Sequence, residues 1–478
     1  MLTAARRLPA SVPTVAAALL VLVASEAALG IVVSRPQFLL VSALGCAGLA
    51  VVGVALARPE WASLLLLFVL FSRLTDAYEL RGWLLGLQML VLVAMLLQRC
   101  VIQRAGLMFD RTLAWMLAYA AAIALSALNA ASPGATGAEL VTYLRDLVTV
   151  VVLLNLLTSL RALRAATWAL VAAGLFLAST ALLGTAGVDL GPLNAVTYTP
   201  LAGDVTGLRL GGTLGNANDL ADVLVIVVPL ALYRVRDEQC RIARIVALAT
   251  VMLLTAAIVF TFSRGGALAL VTVLSLAAVR WRARVAQLLV LGSVVVVAAV
   301  MAPSVYWDRL AASADFLAGN TDSELARADP SLQERSRLWQ VGALVFWEHP
   351  LTGVGKGNYL DIYPSYAWRI DTSLPTTPLA AHSTPIQVLA DTGVVGLASL
   401  VGLVAAAVAG LRKAMRRLAQ AGVAGGSGLE AIELAFYGHL TASLFISDNY
   451  PRYLWILIAL AAIARQVSLR HPATRIPA

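Results

Sequence analysis

The sequence predicts an all-α polytopic membrane protein, with about 12–14 transmembrane helices, a helical loop domain on the outer face and both termini in the cytoplasm. Two observations support this fold class. Of the 478 residues, 60% are hydrophobic and 13% are charged, and the mean hydropathy is +0.84. The charged fraction is about half that of a soluble globular domain. The apolar residues also form continuous runs near the roughly 20 residues that a spanning helix needs, whereas the strands of a β-barrel alternate in shorter segments.

Fourteen apolar segments occur along the chain. The segments 61–73 and 84–97 are short for a hydrocarbon core of about 30 Å, and the predicted number of spans is therefore a range. The first segment carries Glu26 and is followed at once by another span, unlike a cleaved signal peptide. The fourteen segments are 13–33, 37–57, 61–73, 84–97, 112–128, 140–158, 164–186, 217–233, 243–262, 265–280, 285–303, 385–410, 430–446 and 453–468.

The loop charges predict the orientation of these spans. Basic residues cluster in alternate loops, and the positive-inside rule places those loops in the cytoplasm. The net charge of +9 therefore reflects membrane topology and not a nucleic-acid-binding face. The predicted organisation is a transmembrane bundle over 1–303, a large outer loop over 304–384, and C-terminal transmembrane helices with a cytoplasmic tail over 385–478. The outer loop contains four tryptophans and a helical stretch near 332–348, so we expect a small helical cap over an outward-facing cavity.

Three motifs lie at the predicted outer face, each directly before a span: RLGGTLGNAND at 209–219, TFSRGGALAL at 261–270 and AHSTPIQVLADTG at 381–393. Each motif opens a helix that runs inward, so each places a helix N-terminus, with unpaired N–H groups and a partial positive charge, at the outer face. Three such ends beside Arg209 and Arg264 predict a binding site for a phosphate or diphosphate.

The neighbouring residues fit an anion site. Helix caps are available in all three motifs, from Asn216 or Asn218, from Ser263, and from Ser383 or Thr384. Four glycines would let a ligand oxygen approach the backbone, namely Gly211, Gly212, Gly265 and Gly266. The competing explanation is that the arginines only reach lipid headgroups and that the glycines only make turns. This explanation is weakest for Arg264, because topology gives no reason for a positive charge in its tight turn.

Four other titratable residues are candidates for the same site. His382 lies at the outer mouth of the bundle, where imidazole can accept a proton from a hydroxyl, unless it is a purely structural cap residue. Arg145 and Asp391 lie inside predicted spans, where charges are costly and usually functional. Arg145 is a candidate third diphosphate contact and Asp391 a supporting residue, although an internal ion pair would explain either. Arg335 and Arg337 lie on the predicted loop helix, and either could reach the cavity. At least one of the two is expected to face solvent. Arg337 is the one chosen as a candidate site residue.

No metal site and no cofactor are predicted. The four histidines form no HxxxH or HExxH pattern. His439 lies in a predicted span and is expected to have no acidic neighbour. Asp76 and Glu79 lie close together in the first outer loop. A metal-dependent mechanism that uses these two carboxylates remains an open alternative.

Four stretches resemble the bacterial O-antigen ligase and O-antigen polymerase superfamily, in the family's order: RLGGTLGNANDLA, FTFSRGGALAL, SRLWQVGALVFWEHPLTGVGKGNYL and AHSTPIQVLADTGVVGL. The resemblance covers about 200–400. It implies a metal-independent, C-type glycosyltransferase that uses a glycan on undecaprenyl diphosphate at the periplasmic face of the inner membrane. It implies that Arg209 and Arg264 bind the diphosphate and that His382 is catalytic. Here Ser383 stands where many members have Asn, and Asn-Ala-Asn replaces the commoner Asn-Pro-Asn.

The expected reaction is an inverting transfer of the glycan to an acceptor hydroxyl, with His382 as the general base. The ligase type, whose acceptor is lipid A–core, is slightly favoured over a polymerase that adds repeat units. The expected partners are the undecaprenyl-diphosphate-linked donor, a glycan or lipid A–core acceptor and membrane lipids, with no nucleic acid. A transporter of lipid-linked glycans is the remaining alternative, although the sequence shows no internal repeat of the kind that transporters carry.

Overall fold

A computed structural model describes residues 59–74, 106–200, 206–281, 330–370, 377–423, 426–447 and 452–470, with single residues between these ranges. The predicted spans 13–33, 37–57, 84–97 and 285–303, together with Asp76 and Glu79, lie outside these ranges. The chain divides into two compact units, residues 1–66 with 82–107, and residues 67–81 with 108–478. The second unit contains every element from α2 onward.

The regular secondary structure in the described ranges is α-helical apart from one antiparallel hairpin and two short 3₁₀ helices, Ala127–Asn129 and Gly191–Asn194. The hairpin joins β1 (Ala195–Pro200) to β2 (Thr206–Gly212) and places Arg209 opposite Thr197. The helices are α1 (Pro59–Ser72), α2 (Arg111–Ser126), α3 (Pro133–Leu156), α4 (Leu160–Thr185), α5 (Ala217–Asp237), α6 (Arg241–Phe260), α7 (Arg264–Trp281), α8 (Pro330–Glu348), α9 (Tyr359–Ile370), α10 (Thr384–Gln420), α11 (Gly426–Ser443) and α12 (Arg452–Leu469).

Five of these helices are long and apolar enough to cross a membrane: α2 with its 3₁₀ extension, α4, α6, α10 and α12. A length of about 20 apolar residues matches the hydrocarbon core of a bilayer. The predicted all-α, multi-pass membrane fold is confirmed by these helices. The total number of spans, the side of the membrane on which the termini lie and the three-part division of the chain stay predictions.

Helix α5 is at the centre of the second unit. Of its 21 residues, 16 are buried, so it is enclosed by its neighbours along most of its length. It packs against α4, α6, α7 and α11. Glycines allow this close approach: a Cβ at Gly438 of α11 would lie 2.7 Å from side-chain atoms of Val225 and Val273. The middle parts of α5 and α7 are therefore packed closely against α11.

The described part of the segment 304–384 forms a small core of its own. Helix α8 confirms the helical stretch predicted near 332–348, whereas α9 was not predicted. Buried side chains of both helices pack together, among them Leu338, Val341, Tyr359 and Tyr363, and Ala390 of α10 joins the same cluster. The loop helices are thus anchored on the first turns of α10.

Helix α10 is broken at Gly393, whose φ of 64° and ψ of −165° are not helical. The segment after α8 inserts at this break and supplies the missing backbone hydrogen bonds. Val394 N–H donates to the Pro350 carbonyl at 2.8 Å, and Gly355 N–H donates to the Asp391 carbonyl at 3.0 Å. A break whose backbone groups are satisfied from outside the helix is a stable feature of the fold.

Candidate functional site

The first helix start belongs to α5. Asn216 caps it as predicted, because its Oδ1 accepts hydrogen bonds from Asn218 N–H at 2.8 Å and Asp219 N–H at 3.4 Å. Asn218 instead holds Arg209, whose Nη2 donates to Asn218 Oδ1 at 3.1 Å. The Nε of Arg209 donates to the Thr261 carbonyl at 2.9 Å. Arg209 therefore joins the first motif to the turn that precedes α7.

The second helix start belongs to α7. Phe262 has a left-handed φ of 52°, and the buried Ser263 follows it. Ser263 Oγ accepts a hydrogen bond from Gly266 N–H at 3.2 Å, which confirms the predicted cap. Arg264 is the first residue of the helix and is half-buried. Arg264 is thus attached at the positive end of the α7 dipole.

The third helix start belongs to α10. His382 also has a left-handed φ, of 47°, and Ser383 follows it at the N-cap position without a side-chain capping bond. Pro385 lies in the first turn, as predicted. The start is held from outside the helix, because His382 N–H donates to Ser447 Oγ at 2.7 Å and Thr384 Oγ1 donates to the Ile446 carbonyl at 2.8 Å.

The three helix starts are linked in series. The segment Phe445–Ser447, which follows α11, joins the starts of α7 and α10, and the start of α5 is joined to that of α7. The segment holds α10 through Ile446 and Ser447, and it contacts α7 through Phe445. A Cβ at Gly265 would lie 2.9 Å from the Phe445 Cβ, and a Cβ at Gly266 would lie against Ala221 of α5. Both glycines are therefore needed for close packing at the start of α7, a role that was not predicted from the sequence.

The other two predicted glycines lie at the end of β2. Gly211 and Gly212 are buried, and Gly212 has a left-handed φ of 54° where the strand turns toward α5. A Cβ at Gly212 would contact Leu220 at 3.4 Å. The turn conformation favours glycine at this position, and it brings Arg209 and Asn216 to the same end of α5.

His382 is held in its neutral form. Burial, followed by the positive charge of Arg335 on α8, lowers the pKa of the His382 imidazole to about 4. The imidazole is therefore unprotonated near neutral pH and has a lone pair available for a proton. Arg335 is therefore the loop-helix arginine whose charge acts on His382, and the predicted role of Arg337 stays a prediction. Residues two apart on a helix point in different directions, and nothing in the sequence says which of the two faces His382.

Asp391 is connected to the backbone before His382 through Gln387. Lys356 Nζ lies 3.9 Å from Asp391 Oδ2, which is the internal ion pair that the sequence left open. Gln387 Nε2 donates to the same carboxylate oxygen at 3.4 Å, and Gln387 Oε1 accepts from Ala381 N–H at 3.0 Å. The chain of contacts from Lys356 thus ends at the residue before His382.

No described contact joins the predicted site residue Arg145 to the three helix starts. Arg145 is exposed on α3, whose described neighbours include α2 and α12. Arg337 is half-buried on α8. A diphosphate contact from Arg145 stays a prediction without structural support in the part of the chain that is described.

A cavity of about 430 Å³ lies beside the helix starts, between α10, α11 and the first turns of α5. Its walls are mainly apolar and include Leu397, Val401 and Val408 of α10. Thr384 and Ser447 line the end next to His382. Among the described lining residues there is neither Arg209, Arg264 nor His382. The cavity is thus adjacent to the charged groups and does not enclose them.

Two titratable side chains in the cavity wall form a buried pair. The Nδ1 of His439 lies 3.0 Å from both carboxylate oxygens of Asp222. The prediction that His439 has no acidic neighbour was wrong, because the acid comes from a different helix, α5. The pair joins α5 to α11 just below the helix starts. Among the described residues, no group of three or more His, Cys, Asp or Glu side chains is placed to hold a metal ion.

Residues 249–401 match the family model for O-antigen ligase. This segment runs from α6 to α10 and contains Arg264, Arg335 and His382, whereas Arg209 precedes it. The match confirms the resemblance to the O-antigen ligase and polymerase superfamily, whose members are glycosyltransferase-type enzymes. No curated protein matches the sequence.

Proposed function

From the match of residues 249–401 to the O-antigen ligase family, we propose that the protein transfers a glycan from undecaprenyl diphosphate to an acceptor hydroxyl at the periplasmic face of the bacterial inner membrane. The observation that carries this proposal is the linkage of three helix starts, with α7 and α10 joined at Phe445–Ser447 and α5 joined to α7. Arg209, Arg264 and His382 each belong to one of these starts. Helix N-termini and guanidinium groups are the elements that bind phosphate oxygens in proteins.

Arg209 and Arg264 would bind the diphosphate and stabilise the negative charge that develops as the glycosidic bond breaks. The described contacts of Arg209 suit this role. Its Nε donates to the Thr261 carbonyl and its Nη2 to the amide oxygen of Asn218, and these bonds orient the guanidinium at the start of α5. Arg264 adds a second guanidinium at the positive end of the α7 dipole.

His382 would accept the proton of the acceptor hydroxyl while that oxygen attacks the anomeric carbon. The new C–O bond forms as the bond to the diphosphate breaks, so a single displacement inverts the anomeric centre. A base with a pKa of about 4 is neutral at physiological pH. It is also a weak base, and it takes the proton late, when bond formation has made the hydroxyl acidic.

The isoprenoid chain of the donor would lie in the cavity of about 430 Å³. Its apolar wall follows α10 from Leu397 to Val408, which suits a hydrocarbon chain. The end at Thr384 and Ser447 is next to His382, through the hydrogen bond from His382 N–H to Ser447 Oγ. A donor in this position would present its diphosphate to the helix starts and its lipid to the membrane.

The acceptor is proposed to be lipid A–core, which makes the protein an O-antigen ligase. The test uses purified protein in nanodiscs, an undecaprenyl-diphosphate-linked glycan, and either lipid A–core or a second lipid-linked repeat unit as acceptor. We expect transfer to lipid A–core with release of undecaprenyl diphosphate, at the same rate in excess EDTA. Chain lengthening on the lipid carrier alone would make the protein a polymerase. Movement of the donor across a vesicle membrane without release of the diphosphate would make it a transporter.

A further inference from the structure

A second cavity, of about 540 Å³, lies at the opposite end of α5, between α4, α5 and α11. It is lined by Tyr233, Arg234 and Asp237 near the end of α5, whereas Asn216 caps the start. A 21-residue helix is about 30 Å long, the thickness of the hydrocarbon core of a bilayer. The two cavities are therefore separate sites at the two ends of one central helix.

Three arginines line this second cavity, Arg161, Arg164 and Arg234. Two of them share one carboxylate: Glu238 Oε2 lies 2.5 Å from Arg164 Nη2, and Glu238 Oε1 lies 3.3 Å from Arg234 Nη1. Burial raises the pKa of Glu238, but hydrogen bonds from Trp168 and Arg164 outweigh it and hold the pKa below its usual value. Asp237 is the only acidic residue among the described lining residues. The guanidiniums thus outnumber the carboxylates around the cavity.

Arg234 gives a second, independent indication of an anionic ligand. Its side chain is 4% exposed, and its Nε has no hydrogen-bond partner in the described part of the chain. An unsatisfied donor on a buried cationic group is costly, and the side chain that carries this donor lines the cavity. The rest of the guanidinium is already fixed, because Nη2 donates to the Arg164 carbonyl at 2.8 Å and to Thr167 Oγ1.

The remaining lining residues are apolar. Leu163 of α4 and Leu429 and Ile432 of α11 form the other wall. A site with guanidiniums on one side and leucine and isoleucine on the other matches an amphiphilic anion better than a free phosphate. Basic pockets between membrane helices bind the headgroups of anionic lipids for this reason.

We propose that the second cavity binds an anionic phospholipid, with its phosphate at Arg161 and Arg234 and an acyl chain against Leu429 and Ile432. The lipid bridges α4, α5 and α11 at the end of the bundle opposite to the proposed transfer site. This binding site goes beyond the proposed transferase function, and it does not depend on the identity of the donor or acceptor.

The test measures the melting temperature of the purified, delipidated protein in neutral detergent as phosphatidylglycerol is added. Phosphatidylcholine with the same acyl chains and glycerol phosphate are the two comparison ligands. We expect a saturable rise in melting temperature with phosphatidylglycerol alone. Equal stabilisation by phosphatidylcholine would overturn the charge-specific site. Equal stabilisation by glycerol phosphate would mean that the ligand of this cavity is a soluble anion and not a lipid.

Two variants locate the site and leave in place the ion pairs of Glu238 with Arg164 and Arg234. Arg161→Gln removes one positive charge, and Gln239→Glu adds a carboxylate of the same shape at an exposed lining position. Each should weaken the apparent affinity for phosphatidylglycerol about tenfold, as expected for one charged contact. Arg416→Gln, an exposed arginine at the end of α10, is the matched control and should bind like the parent protein. If both Arg161→Gln and Gln239→Glu kept the affinity of the parent protein for phosphatidylglycerol, the lipid would not bind in this cavity. The assay contains no donor, so its result is independent of transferase activity.

Discussion

The starts of α7 and α10 share one backbone arrangement and use it for different purposes. In both, a non-glycine residue with a left-handed φ precedes a buried serine and then the helix: Phe262 before Ser263, and His382 before Ser383. At α7 the left-handed residue is apolar, and the candidate ligand contact is the first helical residue, Arg264. At α10 the left-handed residue, His382, is itself the candidate base.

The two starts are also stabilised differently. Ser263 caps its own helix, whereas Ser383 makes no side-chain capping bond. The start of α10 is instead held by the segment after α11, through Ile446 and Ser447. A left-handed φ costs a non-glycine residue roughly 1 kcal/mol. At α10 this strain therefore falls on His382, the residue proposed to do chemistry. The position of His382 depends on the segment that follows α11.

The largest expected effect is the loss of transfer in His382→Ala. Removal of a general base should lower kcat by about 10²–10⁴-fold. Phe262→Ala is the matched control, because it places alanine at the same left-handed position before the other helix. It should retain kcat within about tenfold, since Phe262 supplies no group to the reaction.

The measurement is release of undecaprenyl diphosphate by each purified variant, with the melting temperature as a test of folding. Similar losses of kcat in His382→Ala and Phe262→Ala would show that the backbone geometry matters and the imidazole does not.

Arg264→Lys should be nearly as damaging as Arg264→Ala, with a loss of kcat of about 10²-fold in each. A guanidinium can donate to two phosphate oxygens in a fixed fork, which an ammonium group cannot do. Arg280→Lys tests the other end of the same helix, where the guanidinium contacts Glu433 at 2.8 Å. A lysine can keep this ion pair, so Arg280→Lys should transfer at close to the parent rate. Full activity in Arg264→Lys would mean that only the charge is needed.

Arg335→Gln should change the pH dependence of transfer more than its rate at neutral pH. The positive charge of Arg335 contributes, after burial, to the low pKa of His382, so its removal should raise that pKa from about 4 toward the usual value. The base must be neutral to act, and a higher pKa means that it becomes protonated at a higher pH. The acid limb of the kcat profile should therefore shift to higher pH. Arg337→Gln is the control and should leave the limb in place; coincident profiles for Arg335→Gln and the parent would exclude this electrostatic coupling.

Local features of the helix starts could be predicted from the sequence. The caps at Asn216 and Ser263 and the position of Pro385 follow from residue preferences within a few positions of each helix. Contacts between distant segments could not be predicted. The carboxylate beside His439 comes from another helix, and the break of α10 at Gly393 is completed by residues 350–355. The choice between Arg335 and Arg337 depends on the rotation of α8 about its axis, which a single sequence does not specify.

The smallest expected effect separates the two serines. Ser263→Ala removes a hydrogen bond to Gly266 N–H at the start of α7, and loss of such a cap costs about 1 kcal/mol. Ser383→Ala removes no side-chain capping bond, so it should lower the free energy of unfolding by a few tenths of a kcal/mol at most. Both serines are buried, so the two variants are closely matched in everything except the capping bond. The measurement is the unfolding free energy in a denaturing detergent titration. If Ser383→Ala were the more destabilising of the two, the start of α10 would depend on its own serine, and the support that we assign to Ile446 and Ser447 would be insufficient to hold it.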